Sequence, residues 1–390
     1  MMVRRNSICR VLITGASGLL GYHAKAAILA ENCSARFKNS DLKFEFVELP
    51  RLTEQTIGIW TEHAKSATLV LHLAGINRGS PDEVEHGNRE IAELLVTALT
   101  ESGSQAHVIY ANSTHFNSDS AYGRGKKAAD DVLNAWAQLR SRFYTNVILP
   151  HIFGENAQPN YNNVTATLCY QIVNNEKPDL HPGAHVNLLH AGAAIDSMLA
   201  AFESSQTGCM RLSGRHISVS DLYDTLLGFR AAYETNAYPD LSEPFIAALF
   251  NTYRSVEYPS AFPKVLKLHS DQRGTLFEAV KGGGGGQTFM SWTEPGVERG
   301  NHFHRRKVER FLVVSGDAEI RIRALFEERV DTYCVSGKEP SCVDMPTLHT
   351  HNIINVGKTR LLTLFWTHEI FDPEYPDTFA HPVILLKSDK

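Results

Sequence analysis

Two groups of residues in this 390-residue chain have the types and spacing that chemistry requires. The first is Tyr122-Gly-Arg-Gly-Lys126, preceded nine residues earlier by Ser113. A tyrosine and a lysine at i and i+4 share one face of a helix. A neighbouring ammonium favours the phenolate and lowers the tyrosine pKa toward working pH, which suits a group that protonates a carbonyl oxygen while hydride arrives at carbon. Ser113, just past a predicted strand, is placed to hydrogen-bond the same oxygen. The second group is Gly300-Asn-His302-Phe-His304-Arg-Arg-Lys-Val-Glu309, with Gly316 beyond it and His349-Thr-His351 further on. His302 and His304 on an extended segment point to one side. With Glu309 and a histidine of the later segment they make three imidazoles and a carboxylate. That donor set suits a divalent transition metal such as zinc, and nickel, iron or manganese would also fit.

A hydride donor must be held beside the tyrosine. Arg10–Thr14 reads as a strand, and Gly15-Ala-Ser17-Gly18-Leu19-Leu20-Gly21 follows at once. Glycines there permit a tight turn and a close approach of backbone to a pyrophosphate, with the phosphates at the next helix's N-terminus. Leu73-Ala74-Gly75 closes another buried strand with small residues, leaving room for the adenosine half of a dinucleotide. Cofactor choice turns on Glu48-Leu-Pro-Arg51 after the second strand. An acid there binds the ribose 2′-hydroxyl of NAD, and an arginine accommodates the 2′-phosphate of NADP. Arg51 is nearer the loop that faces the ribose, so NADP is favoured.

These residues sit in two unlike stretches. Strands at 10–14, 44–49, 68–73, 107–112 and 145–149 alternate with amphipathic stretches at 20–31, 88–100 and 122–139, the pattern of a parallel sheet covered by helices. From about Leu266 the chain turns to short, closely spaced strands with almost no helix, which predicts an antiparallel sandwich or small barrel. The boundary is predicted within 254–263, where Pro259 and Pro263 punctuate the chain, dividing it into residues 1–256 and 257–390. Gly282–Gly286 reads as a flexible hairpin loop. Lys and Arg total 38 against 43 Asp and Glu, a net charge of −5, which argues against a nucleic-acid partner. No apolar run approaches the roughly 18 residues of a membrane span. Six scattered cysteines fit a reducing, cytoplasmic location. Arg4-Arg5 before an apolar stretch mimics an export signal, but that stretch breaks at Thr14-Gly15.

The ordered set of glycine loop, Ala74-Gly75, Ser113 and Tyr122-x-x-x-Lys126 resembles an extended short-chain dehydrogenase/reductase. H-x-H-x4-E-x6-G at 302–316, paired with the segment around His351, closely resembles the cupin pattern. Their fusion is similar to the bifunctional reductase/epimerase family of bacterial capsular-polysaccharide and O-antigen biosynthesis, in the pathway to UDP-N-acetyl-L-fucosamine. Asn77-Arg78, Gln158–Asn163, Lys307–Gly316, Thr350-His-Asn352 and Phe371–Thr378 belong to the same resemblance.

It implies an α/β Rossmann-type doubly wound parallel sheet followed by an all-β cupin (jelly-roll) domain. The implied cupin reaction inverts C3 of a UDP-2-acetamido-2,6-dideoxy-4-ketohexose, and NADPH then reduces C4 to give UDP-2-acetamido-2,6-dideoxy-L-talose. By the same resemblance, Gly15, Ser17, Gly18, Leu19, Leu20, Gly21, Arg51, Leu73, Ala74 and Gly75 hold the cofactor along with Tyr122 and Lys126. Ser113, Tyr122 and Lys126 carry hydride transfer, and Asn160, Tyr161 and Asn162 line the sugar-nucleotide pocket. His302, His304, Glu309 and His351 bind zinc, with His349 as a competitor, and the chains pair as homodimers through the cupin.

Two departures stand out: His151 where the family tends to have asparagine, and Leu348 where the second cupin motif usually has glycine. His349, Tyr333 and Lys307 are candidates for the base at C3. A single-function 4-ketoreductase with a structural cupin, or a non-catalytic NADP-binding regulator, would carry the same motifs.

Overall fold

The computed structural model describes residues 8–37 and 43–385, so Arg4-Arg5 lies outside the described residues. The elements run β1 (Cys9–Thr14), α1 (Leu19–Phe37), β2 (Phe44–Phe46), α2 (Ile57–Ala64), β3 (Leu69–His72), α3 (Pro81–Glu101), β4 (His107–Ser113), α4 (Ala121–Arg140), β5 (Tyr144–Leu149), β6 (His151–Phe153), α5 (Val164–Val173), β7 (His185–His190), α6 (Ala191–Glu203), β8 (Gly208–Arg211), β9 (Arg215–Ser218) and α7 (Val219–Glu234). The chain divides into two compact units, 1–157 with 185–217, and 158–184 with 218–390.

In the first unit six strands form a parallel sheet in the order β2-β1-β3-β4-β5-β8. Chain order reverses between β1 and β3, and open α/β sheets bind ligands at the carboxyl ends of strands at such a switch point. The strands are apolar on both faces because helices cover both. Leu12, Val70, Val108 and Tyr110 pack on the side of Leu95, Leu99 and Leu133, whereas Val11, Ile13, Leu71 and Ile109 meet Ala24, Ile28 and Ile195. Full burial of such side chains contributes about 1.5–3 kcal/mol each. Helix α3 begins with a capping box in which Ser80 and Glu83 bond each other's backbone N–H groups.

The second unit continues with β10 (Ala237–Tyr238), α8 (Pro244–Glu257), β11 (Lys264–Val265), β12 (Leu268–Asp271), β13 (Gly274–Phe277), β14 (Lys281–Gly282), β15 (Gln287–Thr293), β16 (Glu298–Phe303), β17 (Glu309–Ser315), β18 (Asp317–Ala324), β19 (Asp331–Ser336), β20 (Ser341–Met345), β21 (His349–Asn355), β22 (Leu361–Thr367) and β23 (Phe379–Ala380). Two antiparallel five-stranded sheets, β11-β20-β17-β22-β15 and β19-β18-β21-β16-β23, face each other as the cupin sandwich expected from the sequence. Phe311, Val313, Val343 and Phe365 of one sheet pack against Ile320, Ile322, Val335 and Ile353 of the other. Helices α7 and α8 belong to this unit. Arg254 of α8 donates to the Met345 carbonyl at 3.0 Å, and Tyr233 of α7 donates to Asp344 at 2.5 Å.

The glycine run is not the flexible loop its composition suggested. Gly283 N–H donates to the Tyr238 carbonyl, and β14 pairs with β10. A Cβ on Gly284 would lie 2.6 Å from an Asp240 carboxylate oxygen, and one on Gly286 would lie 2.4 Å from the Thr367 carbonyl. Close backbone approach, not freedom, requires glycine there.

Candidate functional site

In the first unit the glycine loop turns directly off β1. Gly15 has φ +73°, Gly18 N–H donates to the Gly15 carbonyl at 3.0 Å, and α1 begins at Leu19. A Cβ on Gly21 would fall 2.2 Å from that same carbonyl oxygen, so the helix can start this close to the turn only without a side chain. Thr14 links the two strand ends of the switch point. Its hydroxyl accepts from Ala74 N–H at 3.2 Å and contacts His72 Nδ1 at 2.7 Å. Burial pushes His72 down to about 3, so the imidazole is a neutral hydrogen-bonding strut. Asn88 of α3 holds the next segment by accepting from Ile76 N–H and donating to the Ile76 carbonyl. Ser17, Gly18 and Gly75 are exposed, and Leu19, Leu20, Leu73 and Ala74 are half-buried, as a surface open to a dinucleotide requires.

Ser113 ends β4, Tyr122 lies in the first turn of α4, and Lys126 follows one turn later. Ser113 lies close enough to Tyr122 to pull the phenol's pKa downward, and the Ser113 hydroxyl accepts from His115 N–H at 3.2 Å. The Lys126 ammonium is buried, donates to the Ala111 carbonyl at 2.6 Å, and would lie 3.6 Å from a Cβ on Gly75. All three side chains therefore gather at the carboxyl ends of β3 and β4. One expectation fails. Burial raises the Tyr122 phenol above its ordinary value, with Ser113 pulling the other way, and Lys126 is not among the groups lowering it. The reason is burial of Lys126 itself, whose own pKa is pushed down to about 7.

Arg51 follows β2 on an exposed segment, where its carbonyl accepts from the Thr56 hydroxyl at 2.6 Å. His151 opens β6 and is half-buried. Asn160, Tyr161 and Asn162 are exposed, two of them with positive φ, and belong to the second compact unit. The hydride-transfer trio belongs to the first.

Within the barrel, His302, His304, Glu309 and His351 converge, each offering one ligand atom within 4.8 Å of the others. His302 and His351 are cross-strand partners on β16 and β21, with a bulge after Gly300. Glu309 opens β17 on the same side as Phe311 and Val313, which places its carboxylate in the barrel interior. His304 Nε2 lies 3.1 Å from Glu309 Oε2, and His351 Nε2 lies 3.2 Å from the same oxygen. The His351 nitrogen is buried yet lacks hydrogen-bond alignment, the arrangement of a lone pair aimed at an ion. Burial holds His302 and His351 below the ordinary imidazole range. Burial works against the Glu309 carboxylate, but His304 and His351 outweigh it and hold Glu309 well below the usual range. Glu309 in turn raises His304 above the ordinary imidazole value although burial works against it. Three imidazoles and a carboxylate converging in a buried pocket fit a divalent metal by their donor set.

His349 lies apart from this cluster. Its Nδ1 bonds the Thr347 carbonyl at 2.8 Å and its ring packs edge-on against Tyr258. Leu348 keeps the turn that glycine usually makes, with φ +60°, its side chain buried. A left-handed leucine costs on the order of 1–3 kcal/mol, which that burial offsets.

Asp377 lies in the 371–378 stretch of the resemblance, but sequence reasoning assigned it no role. Its carbonyl accepts from His304 Nδ1 at 2.5 Å, fixing the tautomer that leaves Nε2 for an ion. Its carboxylate accepts from the N–H groups of Arg305, Arg306 and Lys307 at 3.1, 2.9 and 2.8 Å. Spacing could not have revealed it, because the partners stand about seventy residues apart.

Fold and site together define a Rossmann-type α/β domain of the NAD(P)-dependent kind joined to a jelly roll that carries a cluster of candidate metal ligands. Residues 11–210 match the NAD dependent epimerase/dehydratase family, and the chain belongs to that family. Residues 269–379 match the polysaccharide biosynthesis C-terminal domain. Across its length the chain is a homologue of UDP-2-acetamido-2,6-beta-L-arabino-hexul-4-ose reductase of Pseudomonas aeruginosa, with 29% identity over 376 residues covering 95% of this chain and 98% of that one. The crystal structure of the capsular polysaccharide assembling protein CapF from Staphylococcus aureus matches with a TM-score of 0.58 and 28% identity, covering 96% and 99% of the two chains. The spore coat polysaccharide biosynthesis protein SpsL of Bacillus subtilis is 27% identical over 124 residues, 29% of this chain and 82% of that one. Among the described residues, no helix is long and apolar enough to cross a membrane.

Proposed function

We propose that this chain is a bifunctional nucleotide-sugar enzyme of capsular-polysaccharide synthesis. Its substrate is a UDP-linked 4-keto-6-deoxy-N-acetylhexosamine, inverted at C3 and reduced at C4 to UDP-2-acetamido-2,6-dideoxy-L-talose. Reductase chemistry is assigned to residues 1–256 and epimerase chemistry to residues 257–390. The observation that carries the reading is the presence in one chain of Ser113 and Tyr122 beside buried Lys126, and of the convergent His302, His304, Glu309 and His351. The names of the full-length relatives, a hexulose reductase and a capsule assembly protein, support the substrate class.

A bound nicotinamide supplies hydride to C4. Tyr122 delivers the proton to the C4 oxygen, and Ser113 orients both. Lys126 keeps the end of β4 fixed through the Ala111 carbonyl. Gly15, Gly18 and Gly21 receive the pyrophosphate, and Arg51 receives the 2′-phosphate of NADPH. In the barrel, His302, His304, Glu309 and His351 would hold one divalent metal, for which zinc is the best match to the donor set. Such an ion supplies either Lewis acidity for an enolate at C3–C4 or rigidity. Exposed Phe289, Met290 and Trp292 on edge strand β15 supply apolar surface for a homodimer through the barrel. A cytoplasmic location completes the reading.

One observation favours a second reading, a single-function 4-ketoreductase with a structural metal. Each candidate for the C3 base is engaged in the framework. Lys307 Nζ donates to the Pro376 carbonyl at 2.7 Å, Tyr333 donates to the Pro259 carbonyl at 3.2 Å, and His349 bonds Thr347. Four protein ligands also suit a closed, structural site. Full-length protein and its His302→Ala/His304→Ala variant, incubated in deuterated water with the 4-ketosugar and NADPH, separate the two. Deuterium at C3 with wild type and none with the folded variant supports the bifunctional enzyme. NADPH oxidation without C3 exchange in wild type leaves the single-function reductase. Absence of both reactions in wild type would defeat the proposal.

A further inference from the structure

We infer that the first unit carries a second metal site, made by His23, Glu155 and His190 and suited to a divalent transition ion such as zinc. Among the described residues, this trio and the barrel cluster are the groups whose ligand atoms all lie within 4.8 Å of one another. His23 stands on α1 two residues beyond Gly21. Glu155 lies just past β6, and His190 is the last residue of β7. Parallel pairing of β6 with β7 sets Phe153 opposite His190, which carries Glu155 to the histidine. His190 Nε2 is 2.9 Å from Glu155 Oε2, and His23 Nε2 is 3.8 Å from the same oxygen and 3.0 Å from the Glu155 backbone carbonyl, which would be displaced or join the ion's ligands. The two rings pack edge to face at 89° with centroids 5.2 Å apart.

Three features favour an ion over a plain hydrogen-bonded triad. First, Gly154 leaves space where the nitrogens converge. A Cβ there would sit 3.1 Å from His23 Nε2 and 3.3 Å from His190 Nε2. Second, His190 occupies the N-cap position of α6, yet its side chain makes no cap bond and turns to Glu155 instead. Serine, threonine, asparagine or aspartate normally takes that position. Third, the Glu155 and His23 side chains are 4% and 3% exposed, so the candidate ligand atoms are shielded from bulk water. Two imidazoles and a carboxylate form a three-ligand set that leaves a fourth position for water. His190 is 17% exposed and gives the ion its path in. A bound ion would tie the first turn of α1, directly behind the glycine loop, to the ends of β6 and β7.

The test is metal stoichiometry on full-length protein after zinc loading and exhaustive dialysis, with cobalt(II) absorption as a second readout. Wild type is expected to retain two equivalents per chain, and His302→Ala/His304→Ala one. Glu155→Gln, which preserves shape, should lower the affinity of the remaining site by more than the roughly ten- to hundredfold that loss of an outer-shell partner costs. It should also remove one cobalt component in the wild-type background, and His190→Asn should do the same. Wild type retaining a single equivalent that Glu155→Gln leaves untouched would overturn the inference. So would two equivalents retained by both Glu155→Gln and His190→Asn.

Discussion

Replacing Asp344 by asparagine should strike the barrel harder than the change of one atom suggests. Asp344 and Arg310 are both fully buried, and the guanidinium donates to the carboxylate twice, at 2.6 and 2.9 Å. Tyr233 donates to the same carboxylate, while Arg310 also reaches Asn236 and the Ala279 carbonyl. Burial alone would raise the Asp344 pKa. The charge and hydrogen bonds of Arg310 outweigh it and bring the carboxyl to about 2, against an ordinary 3.8. That difference, at about 1.36 kcal/mol per pH unit, is on the order of 2 kcal/mol of stability. Because the folded-state pKa is depressed, this contribution is present above pH 3.8 and is lost as pH falls through about 2.

Asparagine removes the charge and leaves Arg310 buried without its counter-ion, so the total cost at pH 7 is about 3–5 kcal/mol. Urea unfolding followed by tryptophan fluorescence reads it, since Trp366 stacks on Tyr238 beside the pair. The gap between wild type and variant should narrow by roughly 1 kcal/mol between pH 5 and pH 3. An Arg310→Met/Asp344→Leu double variant should recover most of the loss, because a buried ion pair is often no better than apolar groups of similar volume. A loss below about 1 kcal/mol at pH 7, or a gap that widens on acidification, would refute the reasoning. Arg310 immediately follows Glu309, so the variant should also bind added zinc at the barrel cluster less tightly.

Three further outcomes can be measured on the full chain. Tyr122→Phe should slow NADPH oxidation by about 10² to 10⁴ while binding cofactor normally, and retention of more than about a tenth of turnover would exclude it as the main acid. Arg51→Ala should weaken NADPH by roughly ten- to hundredfold and spare NADH, whereas an unchanged ratio in titrations would put the 2′-phosphate elsewhere. Gly21→Ala forces a Cβ against the Gly15 carbonyl at 2.2 Å, so NADPH affinity should fall by the equivalent of about 1–3 kcal/mol of overpacking, read by isothermal titration.

Much of this was legible because the signals were local. Glycine spacing, the i, i+4 pair at Tyr122 and Lys126, and the i, i+2 pair at His302 and His304 each follow from one element's geometry. Alternation of strands and helices marked the parallel sheet, although β2 ends at Phe46, three residues before the apolar run does. What escaped the sequence was non-local. Asp377 reaches the metal ligands across the barrel, and the Gly282–Gly286 run owes its composition to Tyr238, Asp240 and Thr367. The tyrosine pKa argument failed because spacing specifies proximity and says nothing about dielectric. Leu348 broke a local rule, and its reason, a buried side chain, is visible only in three dimensions.

The chain leaves the first compact unit at residue 158, returns at 185 and departs again at 218. This interleaved threading has a consequence for descent by gene shuffling. A single crossover cannot transplant the barrel with its helical supports, because α5 lies inside an insertion that begins and ends in the nucleotide-binding unit. A fragment starting at residue 257 would inherit Asp344 without Tyr233 and the Met345 carbonyl without Arg254. The fusion is therefore less a pair of beads on a string than a splice whose strands were laid through one another. Its halves must be inherited together, and recombinants joining barrels and reductases from distant relatives should survive only when both crossover points flank 158–184 and the tail is exchanged with them.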